Sequence, residues 1–322
     1  MRSSRIDSAR FLVRVEGDHG RLGHLYSESS WGEVLTVTGS DCVVRDAVIR
    51  DARNPQGVIV DITGTAERCR LGVRVSSVQA DAGVRVAGEE TLLLPGSRIQ
   101  DVRSGTGLAW SGEGGGWDGL EVLEIDRDGI LIEGGPPRRM TRFAISRCNR
   151  VNGNYGAFHA RSTAQDLLGA LCTDFLIRED GTNHAYCWKM GTIGIAPCFG
   201  NWNVRGNVVD GGPLDIPPTG SNAFDLDTKG QGGSQPSPAS GPLTLPVTAS
   251  LYVVTGSNDF DSITPSWKGR RITLVFTGAL TVSNGAGNLV LNGDLATDAA
   301  KKETLTLVCD GTDWFEVGRS LN

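Results

Sequence analysis

A short pattern of apolar and polar residues recurs between Glu33 and about Gly211: a glycine, an apolar residue, any residue and a second apolar residue. The copies are Gly57-Val58-Ile59-Val60, Gly83-Val84-Arg85-Val86, Gly107-Leu108-Ala109-Trp110, Gly129-Ile130-Leu131-Ile132, Gly156-Ala157-Phe158-His159 and, without the glycine, His184-Ala185-Tyr186-Cys187. The steps between successive glycines are 26, 24, 22 and 27 residues. Such a period is typical of solenoids, in which each repeat forms one coil.

Each copy carries a second run, in which apolar and polar residues alternate. These runs are Val43 to Ile49, Leu71 to Val78, Ile99 to Val102, Leu120 to Ile125, Phe143 to Cys148, Phe175 to Ile177 and Val204 to Val209. Period-two runs broken by Gly, Asn, Asp and Pro predict strands joined by turns. No segment shows helical spacing over ten or more residues, so helical crossovers are not expected. The pattern predicts an all-β fold, a right-handed parallel β-helix of about seven coils stacked roughly 4.8 Å apart.

The rest of the chain divides around this solenoid. Residues 1–32 contain one candidate strand and are interpreted as an N-terminal cap or docking segment. Residues 33–227 are assigned to the β-helix. Residues 228–246 have the Gly, Pro and Ser content of a linker.

Residues 247–322 are predicted to form a small C-terminal β-sandwich-like domain. Short alternating strands are separated there by the turn signals Asn284-Gly285, Asn292-Gly293 and Asp310-Gly311. The unit has few large apolar residues and therefore a thin core. It would gain stability from burying one face against copies of itself.

Amino-acid composition and net charge limit the classes of protein to which the chain can belong. Glycine accounts for 44 of 322 residues and the net charge is −6. The negative charge argues against nucleic acid as the main partner. The N-terminus has no apolar signal-peptide core, and no apolar run reaches membrane-spanning length. The sequence therefore predicts a soluble protein, made in a cytoplasm and not inserted in a membrane.

The seven cysteines include no Cys-x-x-Cys pair, and several occupy strand positions that hold Val or Ile in other coils. They are expected to be reduced core residues. His19 and His24 lie five residues apart without a third ligand nearby, so no metal site is predicted. No cofactor is expected, and a structural Ca²⁺ is left as an open alternative.

The glycine-spaced repeat, the Gly/Pro linker and the C-terminal β unit together resemble bacteriophage tail spikes, tail fibres and related receptor-binding appendages. The most specific part is the end of the chain, where Leu305-Thr306-Leu307 is followed by Gly311, Trp314, Glu316-Val317 and Arg319-Ser320. The resemblance covers nearly the whole chain, although the repeat alone is shared with pectate-lyase-like enzymes.

This resemblance implies a virion tail or head appendage that is assembled in the host cytoplasm. It also implies a homotrimer of parallel rods, with the C-terminal domain aiding trimerisation, and host surface polysaccharide as the ligand. The N-terminal region is too short to be the large virion-anchoring domain of many relatives. Attachment through another virion protein is therefore expected.

Two functions remain open on this basis: a spike that only binds the polysaccharide, and the same spike acting as a depolymerase, either a glycoside hydrolase or a lyase. A free bacterial polysaccharide-degrading enzyme is a lesser alternative, because its substrate lies outside the cell and the chain shows no signal peptide. Repetition of weak linked sites raises avidity by roughly 10² to 10⁴. Binding without catalysis is therefore sufficient, and it is the function we favour.

Alternation predicts that the residue two after each repeat glycine faces outward. This column becomes aromatic towards the C-terminal coils. Sugar rings stack on aromatic faces, and carboxylated sugars pair with cations. The predicted ligand-binding residues are Phe158, Arg161, Tyr186, Trp188 and Lys189, although burial against a neighbouring subunit explains Phe158 and Tyr186 equally well. If the protein is an enzyme, Asp180 and His184 are the candidate acid and base.

Other residues that are candidates for ligand binding or catalysis lie in patterns that are less specific for a functional site. The acidic turn formed by Glu121, Glu124, Asp126, Asp128 and Glu133 is the next candidate site, although a solvated bend explains it as well. His159 and Trp110 have inward parity and are expected in the interior. Trp267 and Trp314 are expected in the C-terminal core, while Trp117 is either an exposed platform or a lid.

Overall fold

The structure, a computed structural model, describes residues 12–135, 137–151, 155–160, 171–178, 186–190, 203–209, 214–215, 223–229, 231–245 and 249–321. All regular elements in these ranges are strands. Among the described residues there is no helix of the length and hydrophobicity needed to cross a bilayer.

The strands of the N-terminal and middle parts are β1 (Val13–Val15), β2 (Arg21–Glu28), β3 (Leu35–Val37), β4 (Val43–Arg50), β5 (Arg53–Ile62), β6 (Arg70–Val86), β7 (Leu92–Leu93), β8 (Arg98–Arg103), β9 (Thr106–Trp110), β10 (Gly116–Asp118), β11 (Glu121–Ile125), β12 (Ile130–Ile132), β13 (Arg139–Thr141), β14 (Ala144–Ser146), β15 (Gly156–Ala160), β16 (Leu171–Arg178), β17 (Tyr186–Met190), β18 (Asn203–Val209), β19 (Leu214–Asp215) and β20 (Ala223–Lys229). The C-terminal strands are β21 (Gln231–Pro236), β22 (Leu251–Thr255), β23 (Arg271–Phe276), β24 (Thr281–Val282), β25 (Leu289–Val290), β26 (Leu295–Ala296), β27 (Thr304–Cys309) and β28 (Trp314–Ser320).

The first twenty strands form one parallel sheet wound into a solenoid, since each strand pairs with the strand one coil further on. Three columns of strands run along the rod. One column contains β1, β3, β5, the end of β6, β9, β12, β15, β17 and β19 in succession. The parallel β-helix predicted from the repeat is confirmed.

The solenoid has about ten turns rather than the seven expected. It begins earlier than the sequence placed it, because β1 and β2 already pair with β3 and β4. These two strands lie in the segment interpreted as a cap. At the other end, part of the expected linker forms β21, a strand of the C-terminal sheet.

Apolar side chains of successive coils stack inside the rod. Leu35, Val60, Val84 and Leu108 are in register from coil to coil and fully buried. Further along, the core becomes aromatic. The ring centroids of Trp117 lie 5.6 Å from Trp110 and 5.9 Å from Phe143, both edge to face. Trp117 is fully buried, so it is neither an exposed platform nor a lid.

The five cysteines whose side chains are described lie in the interior, as expected for core residues. Cys42, Cys69, Cys148, Cys172 and Cys309 are buried and form no disulfide. Burial raises the pKa of the Cys69 thiol to about 11. Such thiols behave as small apolar side chains rather than as nucleophiles.

One corner of the solenoid is built from residues with left-handed backbone. Ser29, Asp51, Ser77, Asp101, Glu124 and Arg147 occupy equivalent positions in successive coils, with φ between 50° and 57°. None of them is glycine, and this conformation costs each residue roughly 1–2 kcal/mol. The sharp turn closes the coil and sets the direction of the side chains that follow it.

The C-terminal part is a mixed sheet with a separate core, which confirms the predicted all-β unit. β21, β22 and β23 pair in parallel, β23, β27 and β28 pair antiparallel, and β25 pairs with the start of β28. A two-stranded sheet, β24 with β26, completes it. Trp314 lies in this core as expected. Trp267, by contrast, belongs to the buried cluster that includes the solenoid interior.

Candidate functional site

The predicted glycan site lies mostly beyond the part of the chain that the structure describes. Arg161, Asp180 and His184 are outside the described residues. Tyr186, Trp188 and Lys189 lie on β17, of which only the backbone is described. Their proposed roles stay predictions.

Phe158 is the exception, and the structure corrects its expected orientation. Its side chain is fully buried and stacks in register on Ile130 inside the rod. Alignment of the repeat glycines had placed Ala157 opposite Ile130, but the observed register between β12 and β15 differs by one residue. A one-residue slip exchanges the inward and outward faces of a strand. The ring of Phe158 is therefore not available for stacking on a sugar at the surface.

The same shift places His159 on the outward column, in register with Leu131, yet its side chain is buried. Its Nδ1 lies 2.9 Å from Oδ1 of Asp128, which also accepts a hydrogen bond of 2.7 Å from the backbone N–H of Gly156. Asp128 is itself buried. The expected burial of His159 is thus observed, and the buried pair fixes the turn that leads into β15.

Ion pairs occupy the acidic turn. Glu124 pairs with Arg147 at 2.9 Å, and Asp126 pairs with Arg150 at 2.8 Å. Asp126 also accepts a hydrogen bond from the N–H of Ser104. No group of three or more potential metal ligands occurs among the described residues. The turn therefore holds coils together through charge pairs rather than presenting free carboxylates to a ligand.

A surface site absent from the sequence prediction lies beside the left-handed corner on the first coils. After each corner residue comes an inward side chain, successively Ser30, Ala52, Val78 and Val102, all buried. The next residue in each coil therefore faces outward. These outward residues are Trp31, Arg53, Gln79 and Arg103, and their backbones pair in this order.

The exposed ring of Trp31 contacts an arginine of the next coil. Half of its surface is accessible, at 50%. The guanidinium carbon of Arg53 in the next coil lies over the ring, 5.7 Å from its centroid. A cation over an indole face is attractive by about 0.5–1 kcal/mol at exposed sites. The exposed half of the side chain remains accessible to a ligand.

Cavities lie on both sides of this Trp–Arg pair. One, of about 390 Å³, is lined by Ser29, Trp31, Asp51, Arg53, Ser77, Val78, Gln79 and Arg103, and we call it the corner groove. The other, of about 700 Å³, is lined by Leu12, Trp31, Gly32, Glu33, Arg53, Asn54, Pro55 and Gln56. The concave surface therefore combines one aromatic plate with several hydrogen-bonding side chains, as small-molecule sites do.

The spacing of the four outward residues along the sequence marks the site. They lie in the half of the repeat that does not contain the glycine. The steps from Trp31 to Arg53, Gln79 and Arg103 are 22, 26 and 24 residues, which match the coil length. An alignment anchored on the corner residues, rather than on the glycines, would have placed the four residues in one column.

Comparisons with known proteins found no matching family model, no similar curated protein and no similar solved structure.

Proposed function

We propose that the protein is a virion spike or fibre that binds a host surface polysaccharide, and that the corner groove is its binding site. The observation that carries this proposal is the exposed ring of Trp31, held by Arg53 between two cavities on the flank of the rod. The solenoid supports it by resembling receptor-binding appendages in architecture.

The chemistry of the groove fits a carbohydrate. A pyranose has an apolar face of C–H groups and an equator of hydroxyls. An indole covers the apolar face with a large rigid surface at low entropic cost. Serine, glutamine and arginine side chains offer the donors and acceptors that hydroxyls need. Without them, a sugar would lose its hydrogen bonds to water on binding.

Assembly into an oligomer would raise the overall binding strength, because one particle would carry several grooves. We propose that the functional form is a homotrimer. Exposed apolar side chains on the C-terminal unit support self-association: Val290, Phe315 and Val317 are 46%, 37% and 50% accessible. Val290 and Phe315 are neighbours in register on β25 and β28. Three linked grooves would gain avidity well beyond one. Docking of the N-terminus onto another virion protein belongs to the same proposal.

Cleavage of the same polysaccharide is the second reading of the sequence, with Asp180 and His184 as acid and base. Cleavage needs two ionisable groups flanking the scissile bond. In the acidic turn, Glu124 and Asp126 pair with arginines and Asp128 pairs with His159. Binding therefore remains the function we propose first.

Attachment to cells tests the proposal. The full-length protein, labelled with a fluorophore, is incubated with a panel of bacterial strains and with their purified capsule or lipopolysaccharide. We expect saturable binding to at least one strain, competed by its soluble polysaccharide. A reducing-end assay on the same mixture reports cleavage. If no strain in a broad panel is bound, the proposed function is wrong.

A further inference from the structure

We infer that the corner groove takes a neutral, hydroxyl-rich glycan that lies along the solenoid axis, with one sugar ring stacked on Trp31. This inference rests on the proposed function and adds the class and orientation of the ligand.

The orientation follows from the register. Trp31, Arg53, Gln79 and Arg103 stand on successive coils, so their side chains form a ladder parallel to the rod axis. Parallel strands are spaced about 4.8 Å apart, and the four rungs therefore span on the order of 15 Å. An extended oligosaccharide can follow such a ladder and meet a new side chain at each coil. A ligand lying parallel to the strands, perpendicular to the rod axis, would contact the side chain of only one coil.

The class of ligand follows from the balance of charge. Arg53 and Arg103 are the cations of the groove, and Asp51 also lines it. Arg103 donates to Asp101 at 3.3 Å, so its charge already faces a carboxylate. Glu33 lines the adjoining cavity. A polyanionic ligand would lie close to these carboxylates, and repulsion between like charges would weaken its binding. The two arginines outnumber the one aspartate in the lining of the corner groove, but Asp101 beside Arg103 and Glu33 in the adjoining cavity offset this excess.

The uncharged part of the lining suits hydroxyl groups. Ser29, Ser77 and Gln79 line the corner groove. Asn54 and Gln56 line the adjoining cavity, where Asn54 is held by a hydrogen bond of 2.9 Å from its Nδ2 to the carbonyl of Val58. Amide and hydroxyl side chains both donate and accept. They match the hydroxyl groups of a neutral sugar, which also donate and accept hydrogen bonds. The carboxylate of an acidic sugar only accepts hydrogen bonds and therefore needs mainly donors.

The test uses the full-length protein on an array of bacterial oligosaccharides divided into neutral sugars and sugars that carry uronate or sialate. We expect binding to neutral members that persists at about 0.5 M NaCl, where exposed charges are strongly screened. Affinity should rise with oligosaccharide length until the chain covers the four rungs. Binding confined to acidic members, or lost at high salt, would overturn the assigned ligand class.

Variants locate the site. Trp31→Ala should weaken binding of the neutral oligosaccharide by about tenfold or more, while Trp31→Phe, which keeps an aromatic face, should retain most of it. Tyr26→Ala is the matched control, because Tyr26 is an exposed aromatic on β2 of the same coil and lies outside the groove. The affinity of the Tyr26→Ala variant for the neutral oligosaccharide should stay within about twofold of the wild-type affinity.

A Tyr186→Ala, Trp188→Ala double variant separates the outcomes. If it abolishes binding while Trp31→Ala does not, the protein binds glycan elsewhere, and this inference fails while the proposed function stands. If the wild type binds no array member and no cells, the proposed function fails. Circular dichroism of each variant shows whether a loss of binding comes from unfolding.

Discussion

The side chains of Asp118 and Arg142 join two neighbouring coils. Nε of Arg142 donates a hydrogen bond of 2.6 Å to Oδ1 of Asp118, and the hydroxyl of Thr141 donates to the same oxygen at 3.0 Å. The guanidinium holds the pKa of the Asp118 carboxyl down at about 2. Similar pairs recur along the rod, including Arg68 with Asp41 and Arg85 with Asp61. Several of the arginines scattered along the sequence therefore link neighbouring coils through ion pairs.

This pair predicts a loss of stability in acid. The pKa of Asp118 is lower in the folded state than the ordinary value of about 3.9 in an unfolded chain. The ion pair therefore stabilises the fold above pH 4, and this contribution disappears as the pH falls from about 4 to about 2. Because Asp118 lies near the surface, the effect should be no more than about 1 kcal/mol.

Urea denaturation of the wild type and of Asp118→Asn between pH 7 and pH 2 measures this contribution. The variant should be less stable at pH 7, and the difference should vanish near pH 2. Asp81→Asn is the control, since Asp81 is exposed and forms no ion pair within the described residues. A constant difference between Asp118→Asn and wild type across the pH range would contradict the assignment.

The buried pair of Asp128 and His159 predicts a structural role. Asp128→Ala removes the acceptor for both the N–H of Gly156 and Nδ1 of His159. Leaving buried polar groups without this partner should cost about 1–3 kcal/mol. Asp128→Asn keeps an oxygen for the N–H of Gly156 and should cost less. Chemical denaturation compares the two, and equal stability of Asp128→Ala and wild type would show that the pair does not hold the turn.

Much of the fold follows from the sequence because a solenoid repeats one local rule. Alternation of apolar residues marks the strands, and their spacing marks the coils, so the parallel sheet could be predicted without knowing any long-range contact. What failed was the register at two copies of the repeat. Val60 rather than Val58 pairs with Val84, a shift of two residues that keeps the faces of the strand, and Phe158 rather than Ala157 pairs with Ile130, a shift of one that exchanges them. The glycine before Phe158 suggested one alignment, and the packing of Phe158 on Ile130 selected another. The local sequence pattern does not determine this register, because packing against the neighbouring coil determines it.

The corner groove was not predicted from the sequence, for a related reason. Trp31 follows a left-handed corner residue, and the corner itself is made of Ser, Asp, Glu and Arg rather than glycine. Without glycine, the sequence gives little sign that the chain turns sharply there. The exposure of Trp31 depends on the buried neighbour Ser30 and on Arg53 from the next coil. Only the assembled coils bring these residues together.

Self-association through the C-terminal unit predicts a change in mass. Replacing Phe315 by Ser together with Val317 by Asp places polar groups on the exposed apolar patch and should prevent burial of that face. Light scattering should give about three times 34.1 kDa for the wild type and a single chain mass for the variant. A wild type that stays monomeric at micromolar concentration would contradict the proposed trimer. A trimeric variant would move the interface away from this patch.

The last prediction concerns Trp314, which closes the C-terminal core. The ring is fully buried, and its Nε1 donates a hydrogen bond to the carbonyl of Thr264 at 3.3 Å. Beside it lies the buried guanidinium of Arg270, 6.0 Å from the ring of Trp314 and 5.0 Å from that of Trp267. Burial lowers the pKa of this guanidinium, and its hydrogen bond of 3.0 Å to the hydroxyl of Tyr252 compensates in part.

Trp314→Ala would leave a large cavity and admit water to Arg270. We expect a loss of roughly 3–5 kcal/mol, which is a large fraction of the free energy of unfolding of a small domain. The C-terminal unit should therefore unfold and the trimer should dissociate, while far-ultraviolet circular dichroism keeps the signal of the solenoid strands. Thr312→Ala, at an exposed position two residues away, is the control and should leave both unchanged. If Trp314→Ala melts the solenoid as well, the two parts of the chain fold as one unit, linked through Trp267 and its packing with the solenoid core.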